Sequence, residues 1–119
     1  MITDVYLNEI AKSINNESFT VASHLAFSSS VITPAATDTS LAHEYDRSAT
    51  SGTRASNVVT FNGIRSGATA SSTGDYINLI GLLTSSTSGN LFMEALVPSV
   101  LHSTSFDLEV DAAVSIERK

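Results

Sequence analysis

Apolar and polar residues alternate along the last part of the chain, over residues 106–117. This stretch reads F-D-L-E-V-D-A-A-V-S-I-E, with apolar even positions and mostly acidic odd positions. A period of two puts alternate side chains on opposite faces of a strand. The pattern therefore predicts a β-strand with an acidic face in water and a core face. The core face consists of Phe106, Leu108, Val110, Ala112, Val114 and Ile116.

The start of the chain has a longer period and predicts a helix over residues 3–14. Leu7 and Ala11 widen an apolar stripe of residues at four-residue spacing, Thr3 is a suitable N-cap, and Asn15-Asn16 ends the pattern. We expect this helix to cover a sheet face, a sheet edge or a neighbouring subunit. The stripe consists of Ile2, Tyr6, Ile10 and Ile14.

Short apolar runs separated by turn residues lie between these two segments. The run 76–83 is almost entirely apolar, as expected of a strand covered on both faces. Pro98 is expected to end the run before it, because proline cannot donate to a ladder. The predicted strands are 19–28, 41–50, 54–64, 76–83 and 91–97, with a turn at 51–53, a flexible connection at 66–74 and a loop at 84–90.

Six or seven strands with a single helix leave no helices for parallel crossovers. The sequence therefore predicts an all-β fold, an antiparallel β-sandwich or jelly-roll-like domain with one N-terminal helix. We expect one domain over residues 1–119, with the helix at about 3–14 and the sandwich at about 19–117.

The composition and charge of the chain argue against several classes of function. The 119 residues carry a net charge of −6 with six dispersed basic residues, so a nucleic-acid partner is not expected. There is no cysteine to form a disulfide or a thiolate metal site. No apolar run is long enough for a membrane span, and no signal peptide is recognised. The 20 serines and 13 threonines favour a surface that packs against copies of itself or other proteins.

The chain has few groups in a catalytic or metal-binding pattern. The histidines His24, His43 and His102 are far apart, and residues 43–46 are the one local cluster of potential ligands. No nucleophile elbow or phosphate-binding motif occurs, and the carboxylate pair Glu94 and Glu109 lacks a tryptophan platform for a sugar. We predict no enzymatic activity, no catalytic residue, no cofactor and no metal.

Five segments follow one another along the chain: the helix with L-N-E-I-A, then S-H-L-A-F, a T-x-L-x-x-E-x-x-R segment, an I-G-L-L run and a closing T-x-F-x-L-x-V strand. Taken in this order, they resemble small virion proteins of tailed viruses of bacteria and archaea, related to the head of tail-collar fibre proteins. The chain departs from the family pattern at Ser28, Leu79 and His102 or Ser103. The matching residues are Thr39, Leu41, Glu44, Arg47, Gly81, Leu82, Thr104, Phe106, Leu108 and Val110.

This resemblance implies a non-enzymatic structural protein in the virion, assembled in the host cytoplasm. It would be a subunit of the tail, baseplate or fibre, or of the outer capsid decoration. Its partners would be copies of itself, first as a trimer, and other virion proteins. The residues considered for subunit contacts are Tyr6, Ile10, Arg47, Arg54, Asp107 and Glu109.

The sequence leaves alternatives open for the acidic row, for the two arginines and for the function. The acidic row with Asp107 and Glu109 is either solvated or faces arginines of a neighbouring subunit, and each arginine either binds a carboxylate or protects a strand edge. The second function considered is a carbohydrate-binding module for host-surface glycans. It would use the loop 84–90 and the rings of Tyr6, Tyr45 and Tyr76.

Overall fold

The computed structural model describes residues 1–118, which form two antiparallel sheets and one N-terminal helix. The four-stranded sheet has the order β2-β1-β5-β6 and the three-stranded sheet the order β3-β4-β7. The predicted all-β, sandwich-like fold is confirmed. The elements are α1 (Asp4–Ile14), β1 (His24–Ser28), β2 (Glu44–Ala49), β3 (Gly52–Ala55), β4 (Val58–Arg65), a 3₁₀ turn (Gly67–Thr69), β5 (Asp75–Leu83), β6 (Leu91–His102) and β7 (Leu108–Ser115).

The sandwich core is built from the facing sides of the two sheets. Leu25 and Phe27 of β1 are fully buried and belong to one apolar cluster with residues of β4 and β7. Gly63 of β4 allows close approach here, since a Cβ would lie 3.0 Å from atoms of Leu25. The buried members of the cluster are Ala22, Leu25, Phe27, Phe61, Ile77, Ile80, Leu82, Phe92, Ala112 and Val114.

The connection between β1 and β2, residues 29–43, covers the outer face of the four-stranded sheet. Leu41 lies in a second buried cluster, with Ala26, Leu79, Leu83 and Leu91. The neighbouring strand position is Gly81, where a Cβ would lie 3.0 Å from Leu41 Cδ1. The prediction that β5 is covered on both faces is therefore confirmed for most of the strand, although Tyr76 at its start is exposed.

The helix begins and ends where the sequence predicts, but the face that it buries differs from the apolar stripe in the sequence. Thr3 Oγ1 accepts a hydrogen bond from Tyr6 N and donates one to the Leu91 carbonyl, so the N-cap also fixes the helix to β6. The Tyr6 ring stacks on Phe92 with 4.6 Å between centroids. Leu7 is exposed and Ile14 is 82% exposed, so the stripe predicted as one apolar face only partly reaches the core.

Most strand predictions were wrong in their boundaries, and three of them by the largest margin. The predicted strand 54–64 is a hairpin, because the chain reverses between β3 and β4 at Ser56, whose φ is +56°. Strand β6 continues past Pro98, which is tolerated because β6 is an edge strand and its register with β5 shifts at this point. The strand predicted from Phe19 begins at His24, and Phe19 and Val21 are exposed.

The acidic alternating stretch forms β7, which is shorter than predicted. Ala112 and Val114 are buried and the odd positions 109–115 are exposed, which confirms the predicted faces. Phe106 and Ile116 lie outside the strand and are exposed, so they do not belong to the core face. The apolar row therefore ends where strand pairing with β4 ends.

A buried arginine connects the two sheets at one end of the sandwich. Arg65, the last residue of β4, is 3% exposed and forms ion pairs with Asp46 of β2 at 2.8 Å and Asp75 of β5 at 2.9 Å. Its guanidinium also lies 5.0 Å from the centroid of the Tyr45 ring. All the partners belong to the four-stranded sheet, whereas Arg65 belongs to the three-stranded one.

The fully buried imidazole of His102 completes this network. Its Nε2 lies 2.8 Å from the Phe106 carbonyl, which can only accept, so Nε2 donates. Its Nδ1 then accepts from Arg65 Nη1 at 2.7 Å. The hydrogen bonds of Asp75 with Arg65 and Ser71 outweigh burial and lower the pKa of Asp75.

We expect the change Arg65→Met to lower the free energy of unfolding by about 1–3 kcal/mol, because it leaves the buried Nδ1 of His102 without a donor and the partly buried carboxylates of Asp46 and Asp75 without a countercharge. The matched control is Arg54→Met, since Arg54 is exposed and, among residues 1–118, donates only to the Ser56 carbonyl. Its effect should stay within about 0.5 kcal/mol. Urea denaturation measures both values, and equal small losses would show that the network contributes little.

Candidate functional site

An apolar groove separates α1 from the edge of the three-stranded sheet. We call it the helix groove. It has a volume of about 400 Å³ and is open to solvent. Its walls are α1, the extended residues 19–22, and β3 with β4. The lining side chains used below are Tyr6, Ile10, Phe19, Val21, Val59 and Phe61.

Glu9 determines the shape of this groove. Its Oε2 accepts from the Thr20 backbone N–H at 2.7 Å, and its Oε1 accepts from Lys12 Nζ at 2.8 Å. These bonds hold the chain after the helix against the helix itself. The hydrogen bond from Lys12 and then that from Thr20 lower the pKa of Glu9. Sequence reasoning missed Glu9, because an acid in the middle of a helix is usually solvent-exposed.

The structure places two of the six predicted contact residues in this groove. Tyr6 and Ile10 both line it. They lie beside Phe19, which is 53% exposed, and Val21, which is 63% exposed, two residues that the sequence had assigned to a strand. The groove therefore carries more exposed apolar surface than the sequence predicted.

The two predicted arginines have different roles. Arg47 forms a two-point pair with Glu44, with distances of 2.6 and 3.0 Å. Its Nη1 also donates to the carbonyls of Ser85 and Ser88 at 2.6 and 2.8 Å, so it fixes the loop 84–90. Arg54 is exposed on the edge strand β3, where it is available to a neighbour.

The acidic row of β7 is bound within the chain as well as exposed to solvent. Asp107 Oδ1 accepts from the Gly67 N–H at 2.8 Å. The side-chain amide of Asn62 donates to Glu109 at 2.7 Å and to Asp111 at 2.8 Å. These two carboxylates thus have a neutral partner on β4, and a contact with arginines of a neighbour stays a prediction.

A second concave site lies beneath the connection 29–43, and we call it the carboxyl pocket. It has a volume of about 320 Å³ and contains the side chains of Asp38 and Glu94. Glu94 is on β6 opposite Gly81 and is only 3% exposed. Among residues 1–118, no group forms a hydrogen bond with its Oε2. The other lining residues are Ser30, Ile32, Thr37, Thr39, Ser40, Ala42 and Leu79.

The two carboxyl groups of this pocket affect each other in opposite directions. Burial, followed by interaction with Asp38, raises the pKa of Glu94 to about 7. Interaction with Glu94, followed by the hydrogen bond from the Ala35 N–H, lowers the pKa of Asp38. The Met1 amino group, which donates to the Glu94 carbonyl at 2.7 Å, acts against the rise. A carboxyl group that titrates near pH 7 is unusual and marks this pocket as a candidate site.

Apart from Asp38 and Glu94, the catalytic and metal-binding groups considered from the sequence lie apart in the part of the chain that the structure describes. Ser23 Oγ is 2.8 Å from His24 Nδ1, but no carboxylate among residues 1–118 hydrogen-bonds to this imidazole to orient it as a base. Glu94 and Glu109 lie on the outer faces of different sheets. The same residues contain no group of three or more His, Asp or Glu that could hold a metal ion.

The three tyrosines occupy different elements. Tyr6 of α1 stacks on Phe92, and Tyr45 of β2 lies beside Arg65. Tyr76 of β5 is exposed. They do not form a shared platform for a sugar ring, so glycan binding has no structural observation in its favour.

Comparisons with protein-family models, curated proteins and solved structures found no match to this chain. The resemblance to virion proteins of tailed viruses therefore stays a prediction from the sequence. No helix within residues 1–118 is both long and apolar enough to cross a membrane.

We expect Glu94 to make the free energy of unfolding fall as the pH rises from about 4.5 to about 7. The folded chain retains this proton in that range, whereas the unfolded chain releases it. The change Glu94→Gln should abolish this contribution, which amounts to about 3 kcal/mol at most. Urea denaturation from acidic to mildly alkaline pH, in the presence of a chelator, measures it.

The matched control is Glu117→Gln, which removes the same charge from an exposed position. It should retain the pH dependence of the unmodified chain. If Glu94→Gln and the unmodified chain had parallel pH profiles, the pKa of Glu94 would be the same in the folded and the unfolded chain, and the assignment would be wrong.

Proposed function

We propose that this chain is a non-enzymatic structural subunit of a virus particle, which assembles with copies of itself and with other virion proteins. Its place would be the tail, baseplate or fibre, or the outer surface of the head. The observation that carries the proposal is the helix groove, where exposed apolar side chains surround two residues predicted as subunit contacts. The order of sequence segments supports the viral context.

The helix groove has the features of a protein contact. Phe19 and Val21 expose apolar surface on one wall, and Ile14, one helical turn after the lining residue Ile10, is also exposed. Strand β3 forms part of the opposite wall, and within residues 1–118 it pairs only with β4. An apolar segment of a neighbour in this groove would bury these side chains and could pair with the free strand edge.

A second apolar surface lies on the outer face of the four-stranded sheet. Tyr76 and Leu101 are register partners on β5 and β6, and both are exposed, as is Leu96 further along β6. A ring such as a trimer joins two different surfaces at each contact. The helix groove and this β5–β6 surface supply two such surfaces, and a second copy of the chain is the proposed occupant of the groove.

The use of charged groups agrees with a structural role. Asp46, Asp75 and His102 all bind Arg65, and Glu44 binds Arg47. Each of these groups is paired in a way that holds strands or loops in place. Groups used in this way support the fold rather than a reaction.

We expect the purified chain to form a symmetric oligomer, and the change Val21→Glu to weaken its association by about tenfold or more, because a charge would be buried in an apolar contact. Light scattering coupled to size-exclusion chromatography over a concentration series measures the mass. Circular dichroism checks that the fold is retained.

The matched control is Val31→Glu, since Val31 is 73% exposed and lies outside the groove. This variant should assemble like the unmodified chain. A chain that stays monomeric at high concentration and does not associate with particles would contradict the proposal. Equal weakening by both variants would show that the contact lies elsewhere.

A further inference from the structure

We propose that the carboxyl pocket is a calcium-binding site, with Asp38 and Glu94 as its charged ligands. The proposal is independent of the assembly function. It rests on a cavity of about 320 Å³, on two carboxyl groups that face it, and on the buried Glu94 Oε2, which has no hydrogen-bond partner among residues 1–118.

The unpartnered oxygen is the first reason to infer a ligand. A buried carboxyl group normally accepts hydrogen bonds or pairs with a cation, because removing it from water is otherwise costly. Glu94 is held on β6 by regular strand pairing with Gly81, so its position is fixed by the sheet. The backbone of the strand thus holds a carboxyl group in the pocket without supplying a donor for Oε2.

Asp38 is held in place from the opposite side of the pocket. It ends a turn in which its N–H donates to the Ala35 carbonyl at 3.0 Å, and its Oδ2 accepts from the Ala35 N–H at 2.9 Å. The Asp38 side chain also interacts with that of Glu94, and this interaction lowers the pKa of Asp38. The two carboxyl groups are therefore close enough to act on the same ligand.

The neutral groups of the pocket are suited to a hard cation. Four hydroxyl side chains line it, and the rim positions 37, 39 and 40 are exposed, so the pocket is accessible to solvent. Calcium takes six to eight oxygen ligands in a flexible geometry and accepts carboxylates, neutral oxygens and water. Two carboxylates completed by neutral oxygens and water would satisfy it. The hydroxyl residues are Ser30, Thr37, Thr39 and Ser40.

Magnesium fits this arrangement less well. It requires near-ideal octahedral geometry at short distances and retains its water. The hydroxyl groups here come from a connection with no regular secondary structure, whose spacing can adapt to a larger ion. With only two charged ligands we expect a dissociation constant on the order of 10⁻⁴ M.

The test uses the full chain after removal of metal with a chelator, at about pH 8, where both carboxyl groups are ionised. CaCl₂ is added to about ten times the expected dissociation constant, and the thermal midpoint should rise by about 5 °C. Isothermal titration with CaCl₂ should give one site per chain. MgCl₂ and NaCl at equal ionic strength serve as salt controls.

Three variants decide the assignment. Glu94→Gln and Asp38→Asn should each lose the calcium-dependent shift, whereas Glu117→Gln should retain it. Asp38 is only partly buried, so its variant provides the result even if Glu94→Gln folds poorly. The proposal is overturned if calcium has no effect, if magnesium or sodium has the same effect, or if Asp38→Asn still responds.

Discussion

The buried charge of Arg65 is the constraint on which the arrangement of the two sheets depends. A guanidinium removed from water must be paired, and its partners here come from three strands of the opposite sheet. Hydrophobic contact between the sheets is non-directional and would allow them to slide. The ion pairs are directional, so they fix β4 against β2, β5 and β6. Through His102 they also fix the Phe106 carbonyl, and with it the chain entering β7.

Both concave sites are built from segments outside the regular strands. The helix groove needs α1 and the extended residues 19–22, which Glu9 holds together, and the carboxyl pocket needs the connection 29–43. The strands serve as a rigid support on which these segments lie. The exposed apolar groups and the unpartnered carboxyl group therefore occur where additional chain covers a sheet.

Local sequence patterns predicted which helix and strands are present better than they predicted where each one begins and ends or what it packs against. The cap at Thr3 and the alternation ending at Val114 depend on residues close in sequence, and both are present in the structure. Pro98 was expected to end a strand, but whether proline is tolerated depends on whether the strand lies at an edge, which no local pattern reveals. Phe19 and Val21 continue the alternation of β1 and yet lie outside the core, because the hydrogen bond between Thr20 and Glu9 holds this part of the chain against the helix.

The sequence by itself determined that the chain is an all-β protein with one N-terminal helix, since periods of two and of about four residues are local properties of the backbone. It also determined which face of β7 is buried. Only the tertiary structure decided the environments of Arg65 and Glu94. In the sequence, neither position differs from an exposed charged residue on a strand, and it is residues distant in sequence that bury them. The energy of a charge depends on its surroundings, and those surroundings are set by the packing of the sheets and their covering segments.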